Sequence, residues 1–224
     1  MLYNDLTSSD GGEPQLYANL SKNGTIPDMV GGILWGDNVN KRFYLFGGEY
    51  YETPAETFNL LSYDVINNYW VSFGVPTTAT IAPAWGAGVA ISERGEGYYY
   101  GGWNSNTTTP GYSGDPTTVS NMIIYEMDSN SWTTNAGPDS IGRAEGVMVY
   151  LPASDSGLLI YFGGISQSNS TNTTTAGSPM DTIFIYDIAS SKWYTQTATG
   201  DVPEMRRRFC AGATWASDRS SYNM

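Results

Sequence analysis

A pattern that recurs three times limits the folds open to this chain more than any other feature. Three large residues followed by two glycines appear as Tyr44-Leu45-Phe46-Gly47-Gly48, Tyr98-Tyr99-Tyr100-Gly101-Gly102 and Ile160-Tyr161-Phe162-Gly163-Gly164. Each is followed by a tyrosine, an acidic residue and a tryptophan: Tyr63-Asp64 with Trp70, Tyr125-Glu126 with Trp132, and Tyr186-Asp187 with Trp193. The tyrosine-to-tryptophan separation is seven residues in all three. The separation from the second glycine to the tryptophan varies (22, 30 and 29 residues), so insertions are confined to one loop. Self-similarity of this kind signals a repeat architecture.

Each unit reads as four strands. A strand of small residues comes first, as in Gly86-Ala87-Gly88-Val89-Ala90-Ile91 or Gly146-Val147-Met148-Val149-Tyr150. Arg94-Gly95-Glu96-Gly97 and Ser154-Asp155-Ser156-Gly157 supply the next turn, with residues that tolerate the positive φ of a tight hairpin. The aromatic strand ending in Gly-Gly is second. Alternating segments such as Met122-Ile123-Ile124-Tyr125 and Ile183-Phe184-Ile185-Tyr186 are third, and a short turn leads to the tryptophan strand. Paired glycines permit a backbone approach that a Cβ would block. The tryptophan offers a large surface to bury between sheets, and the tyrosine hydroxyl can satisfy a buried backbone group. One four-stranded sheet cannot cover both of its faces, so stacking around an axis is expected.

These landmarks resemble those of kelch-repeat β-propellers. The resemblance covers residues 43–193, and the 54 and 62 residues between successive Gly-Gly pairs suit a kelch unit of about 50 residues with insertions. The flavour of Gly86 to Trp103 and Arg206 to Trp215 is similar to fungal secreted or cell-surface kelch proteins. The resemblance implies an all-β propeller segment: about three complete four-stranded blades, partial flanking blades, and a ring that is not closed. The expected units are a remnant of a preceding blade over 1–26, repeats over 27–80, 81–140 and 141–203, and the start of a fourth over 204–224. Leu16-Tyr17-Ala18-Asn19-Leu20 resembles a third strand, but Gly24 stands where its tryptophan is expected. Closed kelch propellers need roughly 300 residues, so 224 suggests a fragment whose open sheet edges invite pairing.

Composition narrows the chemistry. Ten Lys+Arg against 22 Asp+Glu give a net charge of −12, which disfavours nucleic acid as a partner. With no histidine, Ser-His-Asp and Cys-His catalysis and the usual imidazole metal ligand are excluded within this chain. The single cysteine, Cys210, allows no internal disulfide; it aligns with small strand residues of the other repeats, so a buried strand position is expected. No apolar run approaches the roughly 20 residues of a transmembrane helix. Met1 to Asp5 has neither a basic nor an apolar leader pattern. No catalytic residues, metal ligands or cofactor are expected. Kelch propellers also form the core of copper-radical oxidases, but those need histidine ligands. Ser62-Tyr63-Asp64 with Trp70 is similar to a sialidase Asp-box only superficially, because Ile66 stands at its glycine position.

The three insertion loops, 49–58, 103–119 and 165–180, carry the candidate contact residues Tyr50, Tyr51, Trp103 and Tyr112. A rigid scaffold with variable loops suits partner binding, although aromatics beside Gly-Gly can equally pack beneath the loop. Arg143, Arg206, Arg207 and Arg208 precede the first strands of repeats three and four on the same face. They could accept an acidic peptide, or tie blades together through carboxylates such as Asp139 or Glu145. Asn19, Asn23, Asn106, Asn169 and Asn172 lie in N-glycosylation sequons, three of them in polar insertion loops. Together with the resemblance they favour an extracellular or cell-surface location. Glu49, Glu52, Glu56, Glu93 and Glu96 lack Ca²⁺-ligand spacing and read as solvated surface. The leading expectation is a non-catalytic module presenting loops to a protein or glycan. Its rivals are a piece of a larger oxidase with ligands elsewhere, and a cell-surface or wall-associated scaffold.

Overall fold

The computed structural model describes residues 24–76, 81–167 and 174–224, together with the backbone pairing of Tyr3–Asn4 with Leu16–Tyr17. Three four-stranded antiparallel sheets dominate, each with its strands paired in chain order. Blade one comprises Ile33–Asp37, Arg42–Phe46, Leu60–Asp64 and Tyr69–Gly74. Blade two comprises Ala87–Ile91, Glu96–Tyr100, Asn121–Glu126 and Ser131–Ala136. Blade three comprises Val147–Leu151, Leu158–Phe162, Thr182–Asp187 and Lys192–Thr197. A hairpin, Thr214–Trp215 with Tyr222–Asn223, packs beyond blade three. Among the described residues there is no α-helix; helical geometry is limited to a 3₁₀ turn at Ser92–Arg94.

The first strands of consecutive blades lie side by side, which explains their small residues. A Cβ on Gly88 would come within 2.6 Å of Ile33 in blade one. The sheets stand face to face as an open arc rather than a closed ring. Between blades one and two, Trp35, Tyr44, Phe46 and Leu60 meet Tyr99, Tyr125 and Trp132. Between blades two and three, Tyr98, Tyr100 and Met122 meet Met148, Tyr161, Phe184 and Tyr186. The aromatic landmarks of blades two and three thus reach back to the preceding blade. Trp132 lies 6.2 Å from the Trp35 ring, and Trp193 lies 5.0 Å from Tyr100 and donates its Nε1–H to the Ala136 carbonyl at 3.0 Å. Offset and edge-on ring pairs of this kind add to the burial of their area.

Three local expectations are corrected. The turn at 94–97 closes two residues early: Gly95 is left-handed (φ 63°) after the 3₁₀ turn, while Glu96 and Gly97 are already strand. Gly97 is small because the Trp35 indole of blade one fills its side-chain space, 2.5 Å from a would-be Cβ. Glu96 is buried rather than solvated; its oxygens accept from Arg94 at 2.7 Å and from the Tyr98 hydroxyl at 2.8 Å. The landmark tyrosine hydroxyls also meet asparagine side chains (Asn68, Asn130 and Asn135) instead of backbone. In the first two cases the asparagine is left-handed, which brings its amide back beneath the ring.

Candidate functional site

Above the sheets, at the end where the insertion loops emerge, every repeat makes the same bend. The segment before each first strand pairs with the segment after Gly-Gly: Met29–Val30 with Glu49–Tyr50, Ala84 with Trp103, and Gly142–Ala144 with Ile165–Gln167. The second glycine of each pair donates its N–H to the next repeat. Gly48 reaches the Pro83 carbonyl at 3.2 Å, Gly102 that of Arg143 at 2.8 Å, and Gly164 that of Arg206 at 2.9 Å. Six positive φ values at the three glycine pairs, from 67° to 112°, make this approach possible.

Four residues occupy one equivalent place in successive repeats: Gly31, Trp85, Glu145 and Arg208. All are left-handed, with φ of 70°, 59°, 62° and 54°. Their backbones form a chain from blade to blade: Trp85 N–H to Gly31 C=O at 2.7 Å, Glu145 N–H to Trp85 C=O at 2.6 Å, and Arg208 N–H to Glu145 C=O at 2.9 Å. The side chains continue the belt. Trp85 Nε1 donates to Glu49 Oε1 at 3.1 Å, and Trp103 Nε1 to Glu145 Oε1 at 3.2 Å. Arg208 donates to the same Glu145 oxygen at 2.9 Å and lays its guanidinium 4.2 Å over the Trp85 ring. Arg207 is ion-paired with Glu145 Oε2 at 3.3 Å, although that oxygen accepts no hydrogen bond.

These groups line a cleft of about 370 Å³ bounded by Glu49, Trp103, Glu145 and Arg208 and by the loop residues Ser105 to Thr107 and Pro116. The Glu145 side chain is 2% exposed. Burial pushes its carboxyl upward, but the hydrogen bonds from Arg208 and Trp103 and the charges of both arginines outweigh this, so it sits below the ordinary range. The Arg208 guanidinium is held correspondingly higher by its hydrogen bond to Glu145. The cleft therefore offers indole, amide, hydroxyl and paired charges. Among the described residues no group of three or more His, Cys, Asp or Glu is arranged to hold a metal.

Of the residues singled out from sequence, Trp103, Asn106 and Arg208 line this cleft, and Arg207 is ion-paired with its Glu145. Tyr50 is buried; its N–H joins Thr107 of the next loop at 2.9 Å, and it lines a separate cavity of about 250 Å³ with Met29, Leu45 and Phe58. Tyr51 is exposed. The Tyr112 hydroxyl pins its own loop through the Asp115 carbonyl at 2.9 Å and Thr117 Oγ1 at 3.1 Å. Arg143 is buried between blades, forked onto Asp139 at 2.7 and 2.8 Å, bonded to Tyr100 and the Ile141 carbonyl, and 4.2 Å over Phe184. Arg206 is exposed, and among the described residues its side chain reaches the Glu204 carbonyl. Asn106 is exposed at the cleft, whereas Asn19, Asn23, Asn169 and Asn172 lie outside the described residues.

Cys210, expected in a buried strand, is exposed and outside any strand, because no neighbouring strand pairs with it here. Glu49, read as solvated surface, is instead the partner of Trp85. Sequence reasoning missed Trp85 and the cleft role of Glu49. The available signal was positional: Trp85 and Glu145 immediately precede Gly86 and Gly146, the glycines that open the first strands of their repeats.

Radially stacked four-stranded blades, bridged at one end by repeat-equivalent bends, define a segment of a β-propeller. No family model matches the chain. It is 31% identical over 236 aligned positions to a "Kelch repeat-containing protein" of the fungus Arthroderma benhamiae, an alignment covering 87% of this chain. The chain spans 34% of that relative's length. The chain is thus a homologue of a kelch repeat-containing protein over most of its own length, and its all-β blades with Gly-Gly, Tyr and Trp landmarks are consistent with kelch repeats. Among the described residues no helix is long and apolar enough to cross a membrane.

Proposed function

We propose that this chain is a non-catalytic kelch recognition module that holds a protein or glycan partner at the cleft between its first insertion loops. The observation carrying this reading is the convergence of Glu49, Trp103, Glu145 and Arg208, drawn from several repeats, on one cleft at the loop-bearing end. Aromatic and arginine side chains are the types that dominate binding energy at interfaces. The Glu145 carboxylate is paired with two arginines and lowered in basicity, which favours a part in binding.

The test is retention of the chain on arrays of oligosaccharides and of acidic and neutral peptides, compared with an Arg208→Ala variant and a Tyr194→Ala control. Tyr194 is 53% exposed on the outermost strand of blade three. The reading predicts a bound class that Arg208→Ala weakens at least about tenfold, the loss expected for one hydrogen-bonded charge, with the control unchanged. Retention of no array member, or equal retention by both variants, would sink it.

A further inference from the structure

We propose that Asn106 is an N-glycosylation site whose first N-acetylglucosamine seats on the Trp103 indole, so that the chain carries its own sugar in the cleft. Asn106-Thr107-Thr108 is a sequon, and Trp103 stands three residues before the asparagine. The intervening chain is a tight turn. Thr108 and Thr109 both donate their N–H to the Ser105 carbonyl, at 3.2 and 3.0 Å, and Ser105 N–H donates back to Thr108 Oγ1 at 2.9 Å. Ser105 and Thr108 are buried beneath it, while Asn106 projects from its tip into solvent. Thr107 anchors the turn to the neighbouring blade by accepting the Tyr50 N–H. Asn106 and Trp103 line the same cleft.

The chemistry of the two groups matches. One face of an N-acetylglucosamine ring is built of C–H groups, apolar and slightly positive, and the face of an indole is rich in π density. Trp103 is already held in one orientation by its Nε1 bond to Glu145, and the turn is already ordered, so little further freedom is lost on stacking. The sugar's hydroxyl and acetamido groups then point toward water and toward the charged groups of Glu49 and Arg208, which border the same cleft. This goes beyond the recognition reading and does not depend on it: the sugar's contact with Trp103 is read on the glycosylated chain alone, with no other partner present.

The experiment takes the whole chain secreted from a eukaryotic host and trims its glycans to single N-acetylglucosamine residues with an endoglycosidase. Peptide mass spectrometry is expected to show one N-acetylhexosamine on Asn106. The trimmed protein should melt about 2 °C or more above trimmed Asn106→Gln, a modest but resolvable shift for a chain of this size. In a Trp103→Leu background that increment should vanish. Nuclear Overhauser contacts between the sugar ring and the Trp103 indole in the wild-type chain give a readout that needs no variant. An unmodified Asn106 peptide, an increment unchanged by Trp103→Leu, or a sugar without contacts to the indole would each overturn the proposal.

Discussion

Gly101 is where the repeat geometry makes its sharpest quantitative demand. It has φ of +72°, and a Cβ there would stand 2.3 Å from the Arg143 carbonyl oxygen and 3.2 Å from its carbon. The obstacle is the backbone of the next blade, which cannot swing aside as a flexible side chain would. The left-handed conformation costs an alanine about 1–2 kcal/mol. Relieving the overlap forces the blades apart, which costs about 1–3 kcal/mol for an overpacked core site. The separation also stretches the 2.8 Å Gly102–Arg143 bond that holds them together, at about 1 kcal/mol for a buried hydrogen bond. Gly101→Ala should therefore lose about 3–6 kcal/mol, a fall in Tm of roughly 6–24 °C for a chain of this length.

Gly36→Ala is the control. Gly36 is exposed in the first strand of blade one, its φ is not positive, and nothing lies within 4 Å of its would-be Cβ. Its effect should stay within about 0.5 kcal/mol. Thermal unfolding followed by near-ultraviolet circular dichroism reads the aromatic contacts between blades directly. If Gly101→Ala melts within about 1 °C of Gly36→Ala, then the Gly-Gly pairs are not the points at which blades close on one another, and the account of the repeat fails.

Arg143→Ala should cost about 3 kcal/mol in urea unfolding, because it strips partners from Asp139, the Tyr100 hydroxyl and the Ile141 carbonyl; Arg143→Lys should recover less than half, since an ammonium cannot fork. Equal stability of Arg143→Lys and wild type would contradict this. Burial pushes the Tyr100 phenol from 10.0 up to about 12, and moves Tyr98, Tyr99, Tyr125 and Tyr161 further the same way. A pKa raised on folding contributes stability that is complete below the unfolded value and lost as pH climbs through the folded one. Tyrosinate absorbance should accordingly show a class of phenols that ionises only together with unfolding above about pH 10; a single titration of all 17 tyrosines with the fold intact would refute it. Glu145 works in the opposite direction. Burial raises its carboxyl, but Arg208, Trp103 and Arg207 hold it below 4.5, so its stability is present above that value and lost as pH falls. Glu145→Gln should flatten the acid limb of a plot of denaturant midpoint against pH, and parallel curves for the two proteins would count against the belt as an electrostatic clamp.

The blades were legible in the sequence because their landmarks are fixed by contacts that only a few residue types can make. Gly47, Gly101 and Gly164 each face a neighbouring carbonyl oxygen within 2.4 Å of a would-be Cβ, so no other residue serves. Trp132 and Trp193 fill space against the preceding blade that only a large ring spans. The small residues of the first strands follow from the close contact of those strands, and the space under Trp35 accounts for Gly97. A pattern carried by steric necessity survives as a pattern of residue types.

The cleft was harder to see because its governing constraint is conformational and leaves no shared chemistry. Gly31, Trp85, Glu145 and Arg208 occupy one place in four repeats, yet a missing side chain, an indole, a carboxylate and a guanidinium have nothing in common. What they share is a left-handed φ, and three backbone bonds join them in order, each N–H of Trp85, Glu145 and Arg208 meeting the carbonyl of the one before. The cost of that φ for a residue with a Cβ, about 1–2 kcal/mol, is offset in each case by one backbone bond of 2.6 to 2.9 Å to the preceding repeat. At Trp85, Glu145 and Arg208 the bend itself is set by these backbone bonds and not by the identity of the side chain. The side chains are free to differ, and the differences here are complementary: Glu145 lies between two arginines and under one indole, while Arg208 lies on the other. Invariant geometry with divergent side chains is how a repeat scaffold sets one specific site at a position common to all its units. In a kelch chain this bend is therefore the place to look for the residues that distinguish one family member from another.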